Sequence, residues 1–142
     1  MSTLSPTRPS LAPYESYPLQ DMLKRAVQRD GSKTAVIDGD RTFTFRELDA
    51  LSDKFASALA AEGVSKGDHI GLLAPNCVEF VIAFYGIIKV GAVATTINSG
   101  YREREIAHQL NDSAAQTLIV HQALVEMADA AQDIAKDVTK RI

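Results

Sequence analysis

Cysteine is nearly absent from this 142-residue chain, where Cys77 stands alone. No internal disulfide can form, and no set of cysteines can build a metal site. That usage agrees with a reducing compartment. An excess of one charge is lacking too: 15 basic residues face 18 acidic ones, for a formal net charge of −3. The Lys and Arg residues are scattered among acidic ones, so the clustered basic footprint of a nucleic-acid binder is missing. Proline is scarce outside the first segment, because four of the five lie within Met1–Pro18. That segment is polar and lacks the basic start and apolar stretch of a signal peptide. Residues 1–18 are read as a mobile leader. No long uninterrupted hydrophobic run exists either. Phe80 to Ile97 comes nearest, but Lys89 and Gly91 break it and Glu79 flanks it. A buried helix followed by a buried strand is expected there rather than an integral membrane segment. No internal repeat is evident, and a cytoplasmic chain is expected.

What is present suits one globular core. The apolar share is 46% and the charged share 23%, as in ordinary folded domains. Leu19, Met22, Leu23, Ala26 and Val27 recur at helical spacing. Thr34–Ile37 and Arg41–Phe45 then read as two strands joined through Asp38-Gly39-Asp40, a favoured turn sequence. Thr44 and Glu47 have the spacing of a capping box, with Phe43 and Leu48 at the staple positions. Leu48, Leu51, Phe55 and Leu59 form one helical face, with Asp49, Asp53 and Lys54 mostly off it. Gly63 can close that helix in the left-handed conformation.

From His69 onward the pattern alternates. A strand is expected over His69–Leu73, then a helix over Val78–Val90, capped by Asn76 with Glu79 three residues on. A strand over Ala92–Ile97, a helix over Arg102–Asn111 and a strand over Thr117–Val120 follow. Leu124, Met127, Ala131, Ile134 and Val138 mark a last helix. Continuous apolar strands alternating with helices predict an α/β fold: a Rossmann-like parallel sheet with flanking helices, preceded by a small β-hairpin. Three parallel strands would leave an open edge, which complete domains normally cover. The chain is therefore expected to be truncated at its C-terminal end.

Signals for chemistry are few. A phosphate cradle needs glycines between a strand and a helix N-terminus, so that backbone N–H groups can approach the anion. The junction Leu73-Ala74-Pro75-Asn76 has none. Gly86 and Gly91 have the spacing of a Walker loop, but Ala92-Val93 follow where Lys-Ser/Thr is needed. Cys77 falls in a first helical turn, where the dipole favours a thiolate, yet no base stands beside it in sequence. His69, His108 and His121 are too dispersed for a zinc pattern. Glu103 and Glu105, with Arg102 and Arg104, read as a solvated charge run. No residue is therefore assigned to a catalytic, cofactor-binding or metal site.

Taken in order, several segments resemble the opening of adenylate-forming enzymes. They are Thr42-Phe43-Thr44-Phe45-Arg46-Glu47-Leu48, Gly63-Val64-Ser65-Lys66-Gly67-Asp68, Pro75-Asn76-Cys77-Val78-Glu79-Phe80 and Lys89-Val90-Gly91-Ala92-Val93. Ala94-Thr95-Thr96-Ile97-Asn98-Ser99 and Glu105-Ile106-Ala107-His108-Gln109-Leu110 are similar to the acyl-CoA synthetase branch, particularly its 4-coumarate–CoA-ligase-like and fatty-acid–CoA-ligase-like members. The resemblance runs roughly from Thr34 to Val138. It implies that residues 19–142 are the N-terminal part of an AMP-binding domain, within the large domain of those enzymes. It also implies a parent that joins a carboxylic acid to ATP, releases pyrophosphate and passes the acyl group to coenzyme A.

In that family these segments are scaffold. The phosphate loop, the Glu that helps hold Mg²⁺, the ribose-binding Asp and the C-terminal Lys come later in the chain. ATP, Mg²⁺ and coenzyme A are thus implied for the parent and none for this piece, which alone is expected to be inactive. Its implied partner is the remainder of the parent enzyme or a second copy of itself. Two other readings are a stand-alone α/β interaction or regulatory module, and a fragment of a luciferase-like or amino-acid-activating enzyme. One departure bears on stability: Arg102 stands where related ligases often have a helix-capping Thr. Arg cannot accept a backbone N–H bond, so this helix start should be weaker by about 1 kcal/mol.

Overall fold

The computed structural model describes residues 17–142. The leader expected over residues 1–18 lies outside them, apart from Tyr17 and Pro18. Helix α1 (Asp21–Asp30) precedes an antiparallel hairpin of β1 (Thr34–Asp38) and β2 (Arg41–Thr44). Then come α2 (Phe45–Ala61), β3 (His69–Leu73), α3 (Val78–Lys89), β4 (Val93–Ile97), α4 (Glu103–Asp112), β5 (Thr117–Val120), a short 3₁₀ turn (Gln122–Leu124), α5 (Val125–Gln132) and β6 (Lys140–Arg141). The second sheet is parallel throughout, in the order β4-β3-β5-β6.

Local chemistry accounts for the best-defined element. Thr44 is in extended conformation, its Oγ1 accepts from the Glu47 N–H at 3.2 Å, and the Thr44 N–H donates to Glu47 Oε2 at 2.8 Å. Both halves of the capping box are formed. The staple residues Phe43 and Leu48 belong to one apolar cluster. At the other end Gly63 has φ +89°, the Val64 N–H reaches the Leu59 carbonyl and the Gly63 N–H reaches Ala60. That is a Schellman closure, with Leu59 and Val64 buried together.

Each face of the parallel sheet is covered. Ile70, Leu72 and Ile119 pack with Leu59, Ala83 and Ile87 from α2 and α3. Leu73 and Leu118 pack with Ile106, Leu110, Ala128 and Ala131 from α4 and α5. A third cluster ties Leu23 of α1 to Leu48 and Val78, under the hairpin. Phe80 to Ile97 is divided as expected between a helix and a strand. Among the described residues no helix is long and apolar enough to cross a membrane.

Three expectations need correction. The last helix stops at Gln132 instead of running to Val138. The Lys136 N–H donates to Asn111 Oδ1 at 2.9 Å and the Thr139 N–H to the Gln116 carbonyl at 2.9 Å, which draws the chain back to the sheet. Ile134 is consequently 44% exposed while Val138 is buried. The sheet also has four strands rather than three, because Lys140–Arg141 pairs with Thr117–Leu118. Finally, α3 is capped from elsewhere. Cys77, not Asn76, is its N-cap residue and contributes no side-chain bond. The Val78 N–H instead donates to Asp38 Oδ2 of the hairpin at 3.1 Å, and Glu79 turns outward to Arg41.

Candidate functional site

The order β4-β3-β5 means that the chain leaves β3 toward one side and later returns on the other. The carboxyl ends of β3 and β5 therefore flank a topological switch point, the usual place for a ligand in an open α/β sheet. A cleft of about 420 Å³ opens there, lined by apolar Phe55, Leu72, Ala83 and Ile119 and by polar Glu79 and His121.

Three reactive side chains meet at this edge. The turn after β3 delivers Cys77, the first turn of α3 delivers Glu79, and the end of β5 delivers His121, whose N–H donates to the Leu73 carbonyl at 2.9 Å. One donor atom from each of the three lies within 4.8 Å of the others, and all three residues are half-buried. Arg41 from the hairpin grips Glu79 in a fork, Nη1 to Oε1 at 2.6 Å and Nη2 to Oε2 at 3.2 Å. The same guanidinium also pairs with Asp38. These bonds push the Arg41 guanidinium up, and the Arg41 hydrogen bonds hold the Glu79 carboxyl down to about 2. Burial pushes the Cys77 thiol up, with a further push from the Glu79 carboxylate beside it. An unassisted Cys77 is thus a thiol, which argues against a self-activated nucleophile. His121 Nδ1 accepts from the Ala123 N–H at 3.2 Å.

The other residues weighed from sequence are not brought together. His69 Nδ1 contacts the Ser113 carbonyl at 2.7 Å, at the opposite end of β3. His108 is exposed on α4. Glu105 accepts from the Arg102 N–H at 2.8 Å, and Arg102 makes no side-chain cap, so only half a capping box exists there. Asp49 and Asp53 lie off the buried face, as expected, and from there hold Lys89 of α3 at 2.6 and 2.7 Å, with Ser52 Oγ at 2.8 Å. The sequence does not group Cys77, Glu79 and His121, because 44 positions separate Cys77 from His121 and 42 separate Glu79 from it. One signal was available: both segments directly follow expected strands of a parallel sheet, whose carboxyl ends are where such sheets take ligands.

Pro75 has no N–H to offer, and the Val78 N–H is occupied by an internal carboxylate. The α4 start carries Glu103 and Glu105 in its first turn. Neither helix N-terminus suits a nucleotide phosphate.

Comparison with known proteins identifies the family. The model of the AMP-binding enzyme family matches residues 23–142, and the chain belongs to that family. The long-chain-fatty-acid–CoA ligase of Escherichia coli O6:H1 is 35% identical over 103 residues, which are 72% of this chain and 18% of the ligase. The 4-coumarate–CoA ligase of Pinus taeda is 35% identical over 120 residues, 83% of this chain and 22% of the ligase. The chain thus spans about a fifth of these relatives. Among solved structures, a long-chain-fatty-acid–CoA ligase from Archaeoglobus fulgidus superposes with a TM-score of 0.84 at 31% identity, covering 91% of this chain and 27% of that one. An anthranilate CoA ligase in complex with anthranoyl-AMP gives 0.81 at 32% identity, covering 88% and 24%.

Proposed function

We propose that this chain is the N-terminal scaffold portion of an ATP-dependent acid–CoA ligase. The parent reaction activates a carboxylic acid as its acyl-adenylate with loss of pyrophosphate, then transfers the acyl group to the thiol of coenzyme A. The observation that carries this reading is the family match across residues 23–142, joined to a structural neighbour that holds an acyl-adenylate. ATP, Mg²⁺ and coenzyme A belong to the parent. The starts of α3 and α4 do not suit a nucleotide phosphate, and no step of the reaction is assigned to this chain. Its part is to build a rigid parallel sheet whose carboxyl edge faces the remainder of the enzyme, the proposed partner. A cytoplasmic location goes with this role.

A chimera tests the proposal: this chain replaces the matching opening segment of a long-chain-fatty-acid–CoA ligase. Acid-dependent exchange of pyrophosphate into ATP is expected to persist, with fatty and aryl acids tried in turn. A folded chimera that exchanges with no acid would overturn the reading.

A further inference from the structure

We propose that Cys77, Glu79 and His121 form a three-donor binding site for a divalent transition-metal ion of the zinc type, at the switch point between β3 and β5. This goes beyond the ligase reading and does not depend on it.

The donor set is the first argument. Thiolate, imidazole and carboxylate are the three protein ligand types of zinc, and a thiolate selects against Mg²⁺ and Ca²⁺. Position is the second, because the trio sits at the crevice where open α/β sheets take ligands. Geometry is the third. One donor from each residue lies within 4.8 Å of the others. Metal–ligand bonds of about 2.0–2.3 Å in a tetrahedron put donors roughly 3.3–3.8 Å apart. Closing the difference takes a shift of about 1 Å, shared among three side chains that project from turns or a helix end.

The surroundings suit a cation site in detail. Glu79 is held by Arg41 most tightly through Oε1, at 2.6 Å, which leaves Oε2, at 3.2 Å, the freer oxygen. Arg41 would remain as the outer partner that orients the ligand carboxylate. Metal binding releases the Cys77 thiol proton to solvent and gives the ion one bond each to Cys77 and Glu79, whose donor atoms already lie within 4.8 Å. The His121 ring either moves its proton to Nδ1 and binds through Nε2, or binds through Nδ1. Each choice gives up the Ala123 bond, which is long at 3.2 Å. Thiolate and carboxylate match the two charges of the ion while Asp38 offsets the Arg41 guanidinium, and three protein donors leave a fourth position open.

Cobalt(II) titration of the full chain, with a phosphine reductant in place of thiols, reads the site directly. One equivalent of Co²⁺ is expected to bring up a near-ultraviolet thiolate-to-cobalt charge-transfer band that Zn²⁺ abolishes and excess Mg²⁺ leaves alone. Cys77→Ser should lose the band, and His121→Gln should weaken cobalt binding by about tenfold or more. Both variants should keep the far-ultraviolet circular dichroism of the parent chain. Absence of the band in the folded parent chain overturns the proposal. So does a band that survives Cys77→Ser, or an affinity indifferent to His121→Gln.

Discussion

Thr44 and Glu47 show what two side chains at the right spacing can fix. Thr44→Ala removes the hydroxyl that accepts the Glu47 N–H and should cost about 1 kcal/mol. Glu47→Ala should cost less, since the Thr44 N–H can turn to water. Denaturant melts of the two variants check the order, and equal or reversed costs contradict it. The Thr44 backbone bond, with its hydroxyl, lowers the Glu47 carboxyl from its ordinary 4.5. A carboxyl lowered on folding takes up protons preferentially in the unfolded chain. The stabilisation is therefore complete above pH 4.5 and is lost as pH falls below it. Glu47→Gln keeps an acceptor without the charge, and should flatten the acid limb of a stability–pH curve. Ala114 makes the opposite case. It stands at φ +51° just beyond α4, where the Ala115 N–H reaches Leu110 and the Ala114 N–H reaches Asn111. This repeats the closure that glycine provides after α2, but with a Cβ in the left-handed region. Ala114→Gly should raise stability by about 0.5–1 kcal/mol, measured by thermal melts. A loss would show that the strain is relieved elsewhere.

At the level of elements, α2 and α3 are brought together by a missing side chain and a captured charge. A Cβ on Gly86 would sit 2.6 Å from Phe55 Cδ1, 3.2 Å from Phe55 Cβ and 3.3 Å from the Ala56 backbone nitrogen. Only one of those atoms is a movable ring edge. Gly86→Ala should therefore destabilise by about 1–3 kcal/mol, read from the denaturant midpoint, and a neutral result would mean that the helices can slide apart at little cost. The same pairing explains what was legible. Helix α2 could be read from both of its ends because caps are local, and the division of Phe80–Ile97 followed from Lys89 and Gly91. Lys89 seemed an interruption of an apolar run. In the folded chain it is the plug that Asp49, Ser52 and Asp53 surround. The partners lie 36 to 40 positions away, and no local pattern carries such a pairing. For the same reason the start of α3 was misassigned to Asn76: its acceptor, Asp38, comes from the hairpin. The early stop of α5 likewise depends on Asn111 taking the Lys136 N–H.

Across the whole molecule, alternation of strands and helices sufficed to predict a parallel sheet with two covered faces, which the apolar clusters on either side of β3 and β5 now define. Strand order was not legible, because it depends on which side of β3 each return falls. That order creates the switch point, and with it the meeting of Cys77, Glu79 and His121. The phosphate chemistry of the family has no matching cradle at the same edge: Asp38 occupies the α3 start, and no glycine opens the turn that precedes it. On the function proposed above, the chain supplies scaffold, and activation of the acid takes place on residues outside it. Acid-dependent exchange of labelled pyrophosphate into ATP, measured on the isolated chain with a panel of fatty and aryl acids, tests that claim most directly. The account predicts no exchange above that of a vector-only preparation. Clear acid-dependent exchange by these 142 residues would contradict it.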